Sequence, residues 1–366
     1  MRVCLDARLT GFAGIGRFIV GLWDGLRREG ADLVVLGPER AAIDHLGAAA
    51  AYEVPGPRVP VGPRPLLPVE QLTVPRLLRR HRIDVHHSPH LAVPYAARVP
   101  IVLTVHDLFM YKDPTMARSR AAGRYYRTVF PMAVRRATVV VGGSEYASRE
   151  LREVLGVPAT KIRTVECGLD HHRWQRPPPA VVDATLARFG VQAPYLLYVG
   201  TAKRHKNLVT LLTAYGQAPG LPPLVLAGPT AAELDAHAPT APRRGVQLLG
   251  RVADEDLPAL YAGARAVVLP SLYESVGFTA LEAMACGIPL VSSDGGGLPD
   301  SVGDAGLLVP AIDVDAWTGA LNRIVDDDAL RATLVMRGRA RAATRSWERA
   351  AREYLEIYSD VSVGGP

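Results

Sequence analysis

The sequence has few residues that could cross-link the chain or hold a metal ion through sulfur. Its three cysteines, Cys4, Cys167 and Cys286, are odd in number and lie far apart. This spacing fits neither a disulfide framework nor a zinc site. It favours a reducing compartment, so we expect a cytoplasmic protein.

Long apolar runs are also missing. No run of eighteen apolar residues occurs, so we expect no transmembrane helix. Residues 1–9 have the character of a strand and lack the apolar core of a signal peptide. Peripheral attachment at the inner face of a membrane stays open as an alternative.

Several catalytic motifs are absent from the chain. It contains no HExxH, GxSxG, GxxxxGK[ST] or paired CxxC motif, and no short-period repeat. No motif therefore supports zinc peptidase, serine hydrolase, P-loop nucleotidase or dithiol redox chemistry. The function has to be sought in other features.

The composition is that of a globular protein large enough for two domains. The chain has 366 residues, of which 48% are hydrophobic and 21% charged, and its formal net charge is +6. Segments of strand and helix character alternate through both halves, which predicts an α/β fold with parallel sheets. The positive charge favours anionic partners such as phosphates, nucleic acid or anionic lipid.

Two breaks interrupt this alternation. Residues 50–70 are rich in proline and glycine and predict a mobile loop. Three consecutive prolines, Pro177 to Pro179, mark the strongest candidate for a domain boundary.

Two segments of the N-terminal half could contact a ligand. Gly14 and Gly16 lie in a glycine-rich loop between a strand and a helix predicted to begin at Arg17, and such a loop can cradle a phosphate. A tight βα turn explains it equally well. His106 and Asp107 follow an apolar strand, at the sheet edge where ligands bind. A histidine there can also be purely structural.

A helix predicted over residues 117–136 carries arginines and no acidic residue. This pattern fits a solvated basic face, or a surface attracted to anionic membranes or to a lipid-phosphate acceptor. Nucleic acid is disfavoured because no recognised binding motif accompanies the patch. The arginines are Arg118, Arg120, Arg124, Arg127, Arg135 and Arg136.

Two segments of the C-terminal half suit a nucleotide. Lys203 to Lys206 form a cationic loop between a strand and a helix, where a diphosphate could bind. Glu274 precedes a helix that begins at Phe278, and Glu282 lies one turn inside it. The helix start is an anion site, and Glu282 could accept hydrogen bonds from a ribose. A solvated charge run and a plain βα unit are the structural alternatives.

Together these segments resemble the retaining glycosyltransferases of family 4, and the resemblance covers nearly the whole chain. The family's motifs occur in the expected order. They correspond to residues 11–17 (GFAGIGR), 104–108 (TVHDL), 141–151, 161–170, 200–208, 274–282 (the E-x7-E motif), 282–289 (EAMACGIP) and 346–358.

The resemblance implies the GT-B fold, in which two Rossmann-like domains face a central cleft. The expected N-terminal, acceptor-side domain covers residues 1–172. The expected nucleotide-sugar domain covers residues 173–345, and residues 346–366 form a helix that crosses back to the N-terminal domain. Closure of the two domains over the cleft is expected.

The resemblance also implies roles for the matched residues of the C-terminal half. Glu282 would bind the donor ribose, and Glu274 would contact the transferred sugar. Lys206, helped by Arg204 or His205, would bind the diphosphate. Amides near Gly277 and Phe278 would add to that diphosphate site.

In the N-terminal half, the resemblance places His106 near the anomeric region of the sugar. Gly14 and Gly16 would approach the phosphates or the acceptor, and Asp107 would contribute to binding or only fix the histidine. The chain departs from the family pattern at Cys167, Thr201 and His205, where asparagine, arginine and arginine are common.

The implied chemistry needs neither a metal nor another cofactor. We assign none of the D-x-D triplets of the chain to a metal site, so positive side chains and the helix dipole would stabilise the leaving diphosphate, each donor by roughly 3 kcal/mol. Retention is expected through front-face attack, in which the leaving phosphate takes the acceptor proton.

We therefore expect a hexosyltransferase that uses a nucleotide-diphospho-sugar, with GDP-mannose as the first candidate, followed by UDP- and dTDP-sugars. The acceptor would be a glycan, a lipid-linked molecule or a small molecule. The alternatives are another GT-B enzyme, namely a nucleotide-sugar epimerase or a glucan phosphorylase, or a non-catalytic module that binds sugar nucleotides.

Overall fold

Two parallel β-sheets form the framework of the protein in a computed structural model, which describes residues 1–10, 13–37, 51–53, 68–114 and 119–363. Most of the predicted proline-rich loop, Gly11 of the glycine loop and Arg118 of the arginine helix lie outside the described residues. The chain divides into two compact units. The N-terminal unit comprises Met1–Gly168 and Ser346–Pro366, and the C-terminal unit comprises Leu169–Arg345.

The strands are short and mostly buried. They are β1 (Arg2–Asp6), β2 (Asp32–Gly37), β3 (Ala51–Glu53), β4 (Val85–Ser88), β5 (Ile101–Val105), β6 (Val139–Gly142), β7 (Ile162–Thr164), β8 (Tyr195–Val199), β9 (Leu224–Ala227), β10 (Val246–Gly250), β11 (Ala264–Leu269), β12 (Leu290–Ser293) and β13 (Leu307–Val309).

Helices connect these strands and cover the sheets. They are α1 (Ala13–Arg28), α2 (Pro68–Arg80), α3 (Phe109–Lys112), α4 (Arg120–Arg136), α5 (Glu145–Glu153), α6 (Pro179–Phe189), α7 (Leu208–Gln217), α8 (Ala231–His237), α9 (Leu257–Gly263), α10 (Phe278–Ala285), α11 (Leu298–Val302), α12 (Val314–Asp326), α13 (Asp328–Ala343) and α14 (Trp347–Val363). No helix of the described ranges is long and apolar enough to cross a membrane.

Within the described residues, each unit contains one doubly wound sheet. The strand order is β3-β2-β1-β4-β5-β6-β7 in the N-terminal unit and β10-β9-β8-β11-β12-β13 in the C-terminal unit. Every pairing is parallel. Apolar runs such as β5 are buried on both faces because helices cover both sides. In such sheets, ligands bind beyond the carboxyl ends of the strands.

The last helix, α14, belongs to the N-terminal unit, where it packs against α1. The side chains of Tyr354 and Tyr358 are fully buried. The Tyr358 hydroxyl lies 2.6 Å from Nδ1 of His87, and Nε2 of His87 lies 2.8 Å from the hydroxyl of Thr104. The Tyr354 hydroxyl lies 2.7 Å from the same Thr104 hydroxyl. The helix is therefore fixed to β4 and β5 by hydrogen bonds inside the core.

Two local predictions need correction. α1 begins at Ala13 and not at Arg17, so Gly14 and Gly16 belong to the first helical turn instead of a loop. Pro177 to Pro179 lie within the C-terminal unit and introduce α6, which begins at Pro179. Proline is well tolerated at the first position of a helix because its missing N–H would have no partner there.

Candidate functional site

The cationic loop of the C-terminal unit is held firmly at the carboxyl edge of its sheet. Arg204 to Lys206 form one 3-10 turn, and Asn207 follows with φ of 54° in the left-handed region. The side-chain amide nitrogen of Asn207, Nδ2, donates to the carbonyls of Pro270 at 3.0 Å and Ala311 at 2.6 Å. The backbone of the turn is thereby fixed to the loops that follow β11 and β13.

Lys206 and Glu274 meet at this edge. The Lys206 ammonium lies 2.5 Å from Glu274 Oε1, which also accepts a hydrogen bond from the Ser271 hydroxyl at 2.9 Å. Both side chains are partly exposed. The residues predicted to bind the diphosphate and the sugar are therefore direct neighbours.

The triple glycine, Gly295 to Gly297, packs against the backbone of the loop that carries Glu274, which we call the Glu274 loop. The Gly297 amide donates to the Glu274 carbonyl at 2.6 Å. A Cβ on Gly296, whose φ is 65°, would overlap the Glu274 backbone. A side chain at Gly295 would overlap the Ser271 carbonyl. The glycines are needed because the two loops touch backbone to backbone.

The start of α10 offers unpaired backbone amides. Gly277 is its N-cap, with φ of 70° and no side-chain capping bond. A Cβ on Gly277 would press on the Leu298 side chain. Phe278, the first helical residue, is half-buried. The first amides of a helix have no carbonyl partner within it, so this turn can bind an anion.

Glu282 lies one turn further along α10 and is deeply buried, with 1% exposure. Its Oε2 accepts a hydrogen bond from the Tyr261 hydroxyl at 2.9 Å. Burial, with the nearby charge of Glu282, raises the pKa of Cys286 to about 12. The carboxylate predicted to bind ribose is therefore covered by its own unit.

A cavity of about 340 Å³ opens beside the cationic loop. Lys203 and Arg204 line it, together with Leu272 and His237. Both cationic side chains are exposed, and neither forms an ion pair with any residue that the structure describes. Two uncompensated positive charges next to a cavity suit an anionic ligand.

His205 could help to bind a diphosphate only as a neutral hydrogen-bonding group. Burial, with the neighbouring charge of Lys206, lowers the pKa of His205 to about 4. The imidazole is therefore neutral near pH 7, and it can add a hydrogen bond to a diphosphate site but no positive charge.

In the N-terminal unit, His106 lies just beyond the end of β5. Its Nε2 lies 3.0 Å from the Pro89 carbonyl, which can only accept, so Nε2 carries the hydrogen. Burial lowers the pKa of His106 to about 4. The neutral ring therefore has a lone pair on Nδ1. Asp107 is exposed, and its Oδ1 accepts from the Phe109 amide at 3.0 Å at the start of α3.

The two glycines of the first α1 turn have different surroundings. Gly14 is exposed, and no atom of the described structure lies within 4 Å of the place where its Cβ would be. Gly16 is buried, and a Cβ there would overlap the Thr10 carbonyl. Packing explains Gly16, whereas no described residue crowds Gly14.

A buried charge network near the end of β1 was not predicted. Asp6 is fully buried and forms a bidentate pair with Arg8, whose Nη1 lies 2.9 Å from Glu70. Burial opposes ionisation of Asp6, but Arg8 and His90 outweigh it and hold its pKa well below the usual range. Asn207, Ser271 and Tyr261 were also missed as site residues.

Sequence comparisons decide the family. Residues 188–341 match the family described as Glycosyl transferases group 1, and residues 12–173 match Glycosyltransferase Family 4. The O-antigen chain mannosyltransferase B of Escherichia coli is 33% identical over 293 residues, which cover 77% of this chain and 75% of that protein. This chain belongs to glycosyltransferase family 4.

A second relative of this family 4 protein is the D-inositol 3-phosphate glycosyltransferase of Salinispora arenicola, which is 32% identical over 73% of this chain. The match spans 65% of that relative, slightly less than two thirds of its length.

Solved structures confirm the predicted GT-B fold. Sucrose-phosphate synthase from Thermosynechococcus elongatus matches with a TM-score of 0.82 and 22% identity over 100% of both chains. Anabaena HepE in complex with UDP-glucose matches with a TM-score of 0.77 and 19% identity over 98% of this chain and 100% of that one.

Proposed function

We propose that this glycosyltransferase moves a hexose from a nucleotide-diphospho-sugar to an acceptor hydroxyl, with retention of configuration and without a metal ion. One observation carries the proposal: Lys206, paired with Glu274, lies in the same loop as Lys203 and Arg204, two cations that form no ion pair with the described residues. This loop lies at the carboxyl edge of a doubly wound sheet, where such sheets bind ligands.

Charge development explains how this loop would accelerate transfer. When the anomeric C–O bond breaks, negative charge grows on the leaving diphosphate. Lys206, Arg204 and the amides at Gly277 and Phe278 would stabilise that charge more strongly in the transition state than in the ground state. Each well-placed donor would contribute roughly 3 kcal/mol to lowering the barrier.

The buried Glu282 would hold the nucleotide ribose. A carboxylate has two oxygens that can accept several hydrogen bonds, so the bond from Tyr261 does not use its full capacity. Because the side chain is covered, ribose binding would require a local rearrangement that exposes it. Tyr261 would keep the carboxylate oriented during that change.

His106 would act as a hydrogen-bond acceptor toward the transferred sugar. Its neutral ring already uses Nε2–H on the Pro89 carbonyl, so Nδ1 would accept a hydrogen bond from a sugar hydroxyl. A neutral histidine adds no positive charge next to the oxocarbenium-like anomeric carbon. The neutral state of His106 is therefore consistent with a role in binding the sugar and not with general acid catalysis.

Retention would follow from attack on the face that the diphosphate leaves. The acceptor oxygen bonds to the anomeric carbon as the bond to the phosphate oxygen breaks, and the acceptor proton passes to that phosphate. Glu274 would position the sugar and would form no covalent intermediate on this route, because the acceptor oxygen itself attacks the anomeric carbon.

GDP-mannose is the first candidate donor, and the name of the Escherichia coli relative supports mannose as the transferred sugar. UDP- and dTDP-sugars follow, and the HepE complexes contain UDP and UDP-glucose.

We propose a glycan or lipid-linked acceptor and a cytoplasmic location. The exposed Arg120, Arg124 and Arg127 on α4 would contact an anionic membrane surface.

A panel of nucleotide-sugars tests the proposal by thermal shift and hydrolysis. We expect one nucleotide-sugar to raise the unfolding temperature of the wild type and to be hydrolysed slowly without acceptor. Lys206→Ala should lower turnover by about 10²- to 10³-fold, and Glu282→Ala should weaken nucleotide binding.

Arg244→Ala is the matched control for lost charge, because Arg244 is exposed and precedes β10 at the amino edge of the sheet. It should behave as the wild type. If no nucleotide-sugar shifts the wild type, the donor assignment is wrong. Unchanged nucleotide affinity in Glu282→Ala would refute the ribose assignment alone.

A further inference from the structure

A second cationic cavity lies in the N-terminal unit, and none of its lining residues has been assigned a role above. Its volume is about 230 Å³. One wall is a face of α2, on which Leu72, Pro75, Arg76 and Arg79 follow one another at helical spacing. Arg98, in the segment before β5, also lines the cavity. We call this cavity the arginine pocket.

The walls of the arginine pocket are fixed to each other. The Gln71 side chain donates to the Val93 carbonyl at 3.2 Å and accepts from the Tyr95 amide at 2.7 Å. From the other side, the Arg136 guanidinium donates to the carbonyls of Tyr95 and Ala97. The segment that carries Arg98 is therefore held to α2 and α4 and is not free to move away.

The charges in the arginine pocket are uncompensated. Arg76, Arg79 and Arg98 are all exposed, and within the described residues none of them forms a hydrogen bond through its guanidinium or an ion pair. Among the residues that the structure describes, none that lines the cavity is acidic. Three guanidinium groups around one small cavity repel one another, so an anion bound between them would relieve that repulsion.

The size and donor set of the pocket indicate the class of anion. Guanidinium groups present planar pairs of donors that match the oxygens of a phosphate. A cavity of this volume is below the roughly 300–1,000 Å³ of sites that enclose a drug-sized ligand. It therefore suits a phosphate or diphosphate group and not a complete nucleotide. The exposed Leu72 beside it would tolerate an apolar substituent.

We infer that the arginine pocket is a binding site for a phosphate group, separate from the donor site. The phosphate could belong to a soluble phosphorylated molecule or to a lipid headgroup, which share this chemistry. The inference concerns binding alone and holds whether or not the proposed transfer reaction is correct.

Arginine labelling with phenylglyoxal, read by peptide mass spectrometry on the intact wild-type chain, tests this inference locally. One arm adds inorganic diphosphate. The other adds vesicles of equimolar phosphatidylcholine and phosphatidylglycerol, compared with pure phosphatidylcholine. We expect labelling of Arg76, Arg79 and Arg98 to slow by about tenfold in at least one arm. Arg244, equally exposed in the C-terminal unit, is the internal reference and should label at an unchanged rate.

Protection by diphosphate identifies a site open to soluble phosphates, and protection only by the phosphatidylglycerol vesicles identifies a headgroup site. Arg98→Gln should reduce protection of Arg76 and Arg79 by about tenfold, since one of the charge-assisted donors is lost. Arg244→Gln should leave it intact. The inference is overturned if neither arm protects the pocket, or if Arg244 is protected to the same extent.

Discussion

At the scale of single residues, the ion pair between Lys206 and Glu274 holds the two side chains in position but contributes little to the free energy of unfolding. The two side chains are 22% and 23% exposed, and pairs that water can reach contribute about 0–1 kcal/mol. The pair keeps two groups with different proposed partners within contact distance. A diphosphate that approaches Lys206 would compete with Glu274 for the ammonium group. The Glu274 carboxylate would then be available to bind a sugar hydroxyl.

Gly296→Ala tests how strictly the Glu274 loop must be supported. The new methyl group would overlap the Glu274 backbone, and φ of 65° is unfavourable for alanine. We expect a loss of about 1–3 kcal/mol in the free energy of unfolding. We also expect a lower turnover, because Glu274 would be displaced. Chemical denaturation and hydrolysis assays measure the two effects.

Gly319→Ala is the matched control for this substitution. Gly319 lies within α12, and a Cβ there would meet no described atom within 4 Å. Alanine in a helix interior is favoured over glycine by roughly 0.5–1 kcal/mol, so stability should rise slightly and turnover should not change. A Gly296→Ala protein with normal stability and turnover would contradict the supporting role of the triple glycine.

Lys206, Glu274 and Glu282 could be proposed from the sequence because each lies in a segment that resembles a motif of family 4, near a strand end or inside the first turns of a helix. The sequence was not sufficient to select Asn207 as the residue that fixes the cationic loop. The two carbonyls that Asn207 binds lie 63 and 104 positions away in the chain. Such partners become neighbours only when the strands have paired.

At the scale of secondary-structure elements, α14 depends on the hydrogen bonds that it makes inside the N-terminal unit. Tyr358→Phe removes the hydroxyl that pairs with Nδ1 of the buried His87. An unpaired buried polar group costs about 1–3 kcal/mol, so we expect the free energy of unfolding to fall by that amount. Equilibrium denaturation in urea measures it.

Tyr111→Phe serves as the control for Tyr358→Phe. Tyr111 is half-buried, and its hydroxyl has no hydrogen-bond partner among the described residues. Its replacement should change stability by no more than about 0.5 kcal/mol. Equal losses for the two variants would show that the bond to His87 does not fix α14.

Most elements could be located from the sequence because buried parallel strands are continuous apolar runs, as in β5, β8 and β9. The errors occurred where the type of residue is typical of a break or a loop, but its position in the fold places it in a helix. Pro177 to Pro179 suggested a break, yet Pro179 begins α6. Glycines suggested a loop before Arg17, yet Gly16 lies in the first turn of α1. It must be glycine because a side chain there would overlap the Thr10 carbonyl.

At the scale of the whole molecule, buried histidines predict a loss of stability in acid. Burial lowers the pKa of His86 and His106 to about 4, and it lowers the pKa of the fully buried His87 well below its ordinary value. In the unfolded chain these groups take up protons near pH 6.5. The unfolded state therefore binds more protons between about pH 6.5 and pH 4, and stability should fall as pH falls through that range.

Thermal unfolding midpoints recorded from about pH 7 to about pH 5 check this expectation. His86→Leu should make the midpoint less sensitive to pH, because His86 is fully buried and neither ring nitrogen has a hydrogen-bond partner among the described residues. His172→Leu replaces an exposed histidine and should leave the slope unchanged. A midpoint that does not decline toward pH 5 would contradict the neutral state of the buried rings.

The central claim is that the C-terminal unit activates a nucleotide-diphospho-sugar for transfer with retention. The most direct measurement is a proton NMR time course of wild-type protein with GDP-α-mannose, or with the nucleotide-sugar that binds in the panel, using water or an accepted hydroxyl as acceptor. The account predicts that the first product has the anomeric configuration of the donor and that Lys206→Ala releases it about 10²- to 10³-fold more slowly. A first product of inverted configuration would contradict the account.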